Sequence, residues 1–93
     1  MAREAVEKGL ACCVQVEGPI ESFYRWEGKT QTAQEWRLTF KTPIPKAYLL
    51  EAWVLEKHPY EIPEWIVVDA ARVGEKYFVW ANSVALLDGT ADE

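Results

Sequence analysis

The sequence predicts an α+β domain, with helices laid on one face of a mainly antiparallel sheet. Two strand-like runs flank a short glycine-containing turn at Glu27-Gly28-Lys29. In the second of them Trp36, Leu38 and Phe40 alternate with Arg37, Thr39 and Lys41, the period of a half-buried strand. Two helix-like stretches follow, separated by a proline-rich loop. The predicted order is helix, strand, strand, strand, helix, strand, helix, and residues 1–93 form a single domain.

Ala2 to Lys8 reads as the tail of a helix, with Ala5 and Val6 on its apolar side. Glu4 and Lys8 are spaced i,i+4 and Gly9 sits at the stop position. Leu10 to Val16 is a nearly continuous apolar run, expected as a strand that Gly18 and Pro19 end or bulge. Glu21–Trp26 and Thr30–Lys41 then form a hairpin. Pro45 suits the first turn of a helix running to Lys57, for which Tyr48, Leu49, Ala52, Trp53 and Leu55 supply an apolar stripe. His58, restricted by Pro59, ends that helix, and Pro63 stiffens the loop. Trp65–Ala70 is expected as a fourth strand. Gly74 opens a last helix with Tyr77, Ala81 and Val84 along one side, and Asp88–Glu93 reads as a frayed polar tail.

Hydrophobic residues make up 49% of the 93 residues and include five tryptophans. A domain this small buries only about 60–65% of its unfolded surface, so part of this apolar material is expected to face another subunit. Net charge is −5, and the basic residues are scattered among acids, which argues against nucleic acid as a partner. No apolar stretch approaches the ~20 residues that span a bilayer, and Met1 is followed by charge rather than a signal-peptide core, so a soluble cytoplasmic protein without membrane partners is expected. Cys12 and Cys13 are neighbours on a predicted strand. Their side chains point to opposite faces, which implies reduced thiols and a cytosolic setting.

The blocks GLACCVQV, FYRWEGK, FKT, HPYEIPE and YFVW, in this order over about residues 2 to 86, resemble the signatures of the CutA divalent-cation-tolerance family. The resemblance implies a ferredoxin-like domain in a tight homotrimer, similar in architecture to PII-type regulators. The family's cysteine falls on Cys13, its small residue before that on Cys12, and its asparagine two residues later on Gln15. His58 through Glu64 match the HPYEVPE block except at Ile62. Arg37 and Thr39 interrupt a run that is aliphatic in the family, so this face is wetter here.

By the same resemblance, the family's first strand and the opening turns of its first helix have no counterpart here. That strand lies centrally, between those corresponding to Thr30–Lys41 and Glu64–Ala70, and its absence leaves a gap of roughly 9–10 Å. The expectation is that the flanking strands pair directly and in parallel, with the helix Pro45–Lys57 as a right-handed crossover; a neighbouring subunit's strand filling the gap is the rival.

A metal site would use Cys13, His58 and Glu61, since thiolate and imidazole suit copper and zinc, and the family's name makes copper or another divalent cation the expected cofactor. The opposing reading makes Cys13 a small core residue and His58 a helix cap. A ligand pocket between subunits would use Lys41, Tyr60, Glu61 and Trp80; otherwise these residues lock the trimer. Glu61 and Glu64 lack any accompanying nucleophile or phosphate-cradling loop, so no enzyme is expected. The tryptophans are expected in core or trimer packing, with Trp26 the candidate for an exposed anchor.

Overall fold

The computed structural model describes residues 1–58 and 60–85; the predicted tail at Asp88–Glu93 lies outside this range. Its elements are α1 (Ala2–Glu7), β1 (Cys13–Trp26), β2 (Lys29–Lys41), a 3₁₀ turn (Ile44–Lys46), α2 (Ala47–Lys57) and α3 (Glu75–Val84).

Gly9 stops α1 as expected. It takes φ 73°, its N–H donates to the Val6 carbonyl, and the Leu10 N–H donates to the Ala5 carbonyl. These two bonds make a Schellman motif, which turns the chain and lays Leu10 beside the core. The exposed Lys8 and Glu4 approach within 3.9 Å across one helical turn. Of the two residues expected on the apolar side of α1, Ala5 is fully buried and Val6 is exposed.

The runs expected as two strands before the hairpin are one, β1, which pairs antiparallel with β2 from Cys13 opposite Lys41 to Trp26 opposite Lys29. Gly18 and Pro19 bulge the ladder rather than end it. Glu17 pairs with Arg37 and Ile20 with Glu35, so two residues of β1 oppose Trp36 alone. Glu27 and Gly28 close the hairpin with φ of 51° and 77°, the doubly left-handed backbone that suits a two-residue turn to the strand twist. A 14-residue strand extends for about 45 Å, so the hairpin accounts for the 48 Å long axis of the molecule. Leu38 and Phe40 are half-buried, but Trp36 of the same predicted face is 62% exposed, its ring lying over Gly18 at the bulge. On the wetter face, Arg37 and its register partner Glu17 form an exposed ion pair at 3.6 Å.

The core is a small cluster of Ala5, Ala11, Leu50 and Val54, flanked by Val14, Phe40, Trp53 and Trp65. It gathers where the start of β1 meets the end of β2. The Lys41 carbonyl accepts both the Cys12 N–H (2.8 Å) and the Cys12 thiol (3.1 Å), and the Thr42 hydroxyl donates to the Leu10 carbonyl at 2.8 Å. The face that α2 turns inward differs from the predicted stripe: Leu50 and Val54 are buried, whereas Tyr48, Leu49 and Leu55 are exposed. Apolar residues lie on every side of α2, so periodicity could not choose between faces. Along α3, Ala81 is buried while Tyr77 and Val84 stay partly exposed.

The predicted direct pairing of β2 with a fourth strand does not form. Among the described residues the sheet has two strands, and Trp65–Ala70 carries neither a strand nor a backbone hydrogen bond. Side-chain packing takes the place of the ladder. Phe40 of β2 and Trp65 meet ring to ring at 6.0 Å, tilted by 49°, and both pack against the cluster of Ala5, Ala11, Leu50 and Val54, so the two segments are joined through the core and not through their backbones. No helix among the described residues is long and apolar enough to cross a membrane.

Candidate functional site

An open cleft of about 2110 Å³ spreads over the hairpin and between β2 and residues 60–70. Parts of β1 and β2, the inner side of α2, residues 60–70 and the start of α3 bound it, and Lys41, His58, Tyr60 and Glu61 are among its polar lining residues. Of the residues singled out from the sequence, these four therefore border the same open cleft, Lys41 from the end of β2 and the others from the end of α2 and the loop after it. Cys13, at the start of β1, and Trp80, on α3 with its ring 5.4 Å from that of Tyr77, are not among the lining residues.

His58 sits where α2 ends. Its own N–H closes the last helical bond to Val54 at 2.9 Å, so the backbone caps the helix, while the imidazole turns toward the following loop. There Nδ1 accepts the Tyr60 N–H at 3.2 Å, and the two rings meet edge to face at 4.8 Å. A neutral imidazole whose Nδ1 accepts a hydrogen bond carries its proton on Nε2. Binding a cation through Nε2 requires the proton to leave that nitrogen, and its move to Nδ1 sacrifices the Tyr60 bond. Among the described residues no group of three or more His, Cys, Asp or Glu side chains is placed to hold a metal ion. One chain therefore does not assemble Cys13, His58 and Glu61 into a metal centre. Glu61 and Glu64 are both exposed.

Two features escape the sequence reading. The Trp65 indole Nε1 is buried without a hydrogen-bond partner, at the floor where Trp65 meets Phe40. Tyr77 reaches from α3 toward Cys12. Partial desolvation, then the neighbouring Cys12, then Cys13, hold its hydroxyl above the ordinary tyrosine value. No local motif marks either contact, since each joins elements far apart in the chain.

The Tyr77 shift has a defined sign. The folded state keeps the proton longer than the unfolded chain, so its stabilising contribution is full below the unfolded tyrosine value of about 10 and is lost as pH rises through the folded one. Cys12→Ala is expected to lower the Tyr77 midpoint part of the way, burial retaining the remainder. Titration of the Tyr77 ring resonance checks this, and an unmoved midpoint would refute the Cys12 contact.

The family profile described as CutA1 divalent ion tolerance protein matches residues 1–84. The chain belongs to the CutA1 family. Among CutA relatives, Protein CutA homolog of Xenopus laevis is 36% identical over 84 residues, covering 90% of this chain and 56% of that protein. The chain spans about half the length of the animal and plant relatives it matches. CutA from Synechococcus elongatus PCC7942 superposes with a TM-score of 0.86 at 36% identity, covering 91% of this chain and 75% of that one. The PII-like protein CutA from Nostoc sp. PCC 7120, in apo form, gives 0.86 at 28% identity, covering 92% and 84%. The α+β arrangement is thus a CutA fold, as the ordered sequence blocks imply.

Proposed function

We propose that this chain acts as a non-enzymatic CutA1-type protein of divalent-cation tolerance, working in the cytoplasm as a homotrimer whose cation, copper or a similar divalent ion, is held by donors from more than one subunit. The observation that carries this reading is the apolar surface left uncovered on one chain. Leu50 is the one large side chain fully buried among the described residues, whereas Phe23 is 68% and Tyr48 85% exposed. Uncovered apolar area on this scale marks an interaction surface. Cation binding then needs a second subunit, because the donors of one chain stand apart and His58 is engaged through Nδ1.

Native mass spectrometry during copper titration tests the reading. A trimer that takes up copper, with uptake lost in the Cys13→Ala, His58→Ala double variant, is the expected result. A monomer at micromolar concentration sinks the assembly, and unchanged copper affinity in the double variant removes these ligands. A second reading, an effector scaffold, draws on Lys41 and Tyr60 bordering the same cleft, with Trp80 supplied from elsewhere in the assembly. An organic ligand carried by the native trimer would favour it.

A further inference from the structure

We infer that Lys46 is an anion-binding residue, whose ammonium group at the N-terminal end of α2 takes the oxyanion of a phosphate or carboxylate ligand. The fold places this charge inside and leaves it without a partner.

Lys46 closes the 3₁₀ turn and is the N-cap residue of α2. Leu50 and Val54 follow it at the i,i+4,i+8 spacing that puts all three on one face of the helix. They are 3%, 2% and 3% exposed, and Lys46 is the one charged residue buried among those described. Its sequence neighbours Ile44 and Tyr48 are 75% and 85% exposed, so the chain turns a lysine inward and leaves apolar side chains outside. No side-chain hydrogen bond or ion pair engages Lys46 among the described residues, whose ion pairs are Lys8–Glu4 and Arg37–Glu17. A buried charge without a counter-charge is strongly unfavourable.

The setting adds to that cost. A helix start carries partial positive charge, which an acidic residue or a side-chain cap ordinarily offsets, and the first turn of α2 has neither. The N–H groups of Lys46 and Ala47 already donate to the Pro43 and Ile44 carbonyls, so the ammonium is the donor left over. It is also within reach. Trp65 Nε1 is the only side-chain nitrogen or oxygen sealed from solvent without a partner among the described residues, so Lys46 Nζ, equally unpartnered, keeps contact with solvent. Two positive features that meet at one point repel a metal cation and favour an oxyanion, which accepts the charge-assisted hydrogen bonds an ammonium donates.

The intact protein is compared with Lys46→Met, which keeps much of the side chain's length and removes its charge. In sodium chloride the variant should unfold at a urea midpoint no lower than the parent's, because an apolar group of similar volume replaces an unpaired buried charge. Inorganic phosphate, and acetate in a separate arm, are then titrated at constant ionic strength. Expected is a saturable rise of the parent's midpoint, with a dissociation constant from calorimetry at least about tenfold weaker in the variant. The general stabilisation by phosphate, through its exclusion from protein surface, is common to both proteins and does not saturate. Saturation by phosphate alone names a phosphate ligand, and saturation by acetate extends the site to carboxylates. Equal responses of parent and variant, or no saturable response of the parent to either anion, overturn the inference. So does a variant less stable than the parent in chloride, which would show that Lys46 already has a counter-charge within the assembly.

Discussion

Leu50→Ala is expected to lower the unfolding free energy by about 2–5 kcal/mol, a large part of the roughly 5–15 kcal/mol that holds a typical domain together. Leu50 is 2% exposed, and its neighbours in the cluster are Ala5, Ala11 and Val54. Those side chains are too short to move into the vacated space, so the loss of transfer energy is joined by the cost of the cavity. Few other residues can compensate, because most large apolar side chains of this chain face outward. Urea unfolding at fixed protein concentration gives the measurement, with the exposed Glu56→Ala on the same helix as control, expected within about 0.5 kcal/mol of the parent. A Leu50→Ala loss below about 1 kcal/mol would show that this cluster is not the core.

That core was only partly legible in the sequence, and the reasons are local to particular residues. Gly9 announced the end of α1, and Glu27-Gly28 the hairpin turn, because each needs a left-handed backbone that few residues supply. The face of α2 was misassigned because Tyr48, Leu49, Leu50, Trp53, Val54 and Leu55 surround the helix, and which of them is buried depends on Ala5 and Ala11, distant in the chain. The parallel pairing of β2 with Trp65–Ala70 failed for a related reason. Strand-forming composition says that a segment can pair, not that a partner stands one strand spacing away. Among the candidate site residues, Lys41, His58, Tyr60 and Glu61 border one broad cleft and Cys13 and Trp80 do not. A list of suitable donors carries no information on the bond that occupies His58 Nδ1, which the backbone N–H of Tyr60 makes after the chain has turned.

Gly18→Ala is the second change expected to act strongly, at about 1–3 kcal/mol, and its origin can be divided by experiment. Gly18 has φ 157°, a backbone region that side chains with a Cβ rarely enter. A Cβ there would stand 2.7 Å from Trp36 Cε3, 2.8 Å from Trp36 Cδ2 and 3.0 Å from the Glu35 carbonyl oxygen. The indole is 62% exposed and can swing toward solvent, but the carbonyl belongs to the opposing strand and cannot move without disturbing the ladder. Two contributions follow, a side-chain clash that Trp36→Ala relieves and a backbone conflict that it does not. The double variant Gly18→Ala, Trp36→Ala should therefore be more stable than the sum of the two single losses predicts, yet less stable than Trp36→Ala alone. Strict additivity in urea unfolding would show that the Trp36 ring gives way freely, placing the whole effect in the backbone. A fully restored double variant would place it in the ring. The intermediate result ties the bulge to both strands: the Glu17–Arg37 pair and the direction of the hairpin beyond Ile20 then depend on a residue without a side chain at position 18.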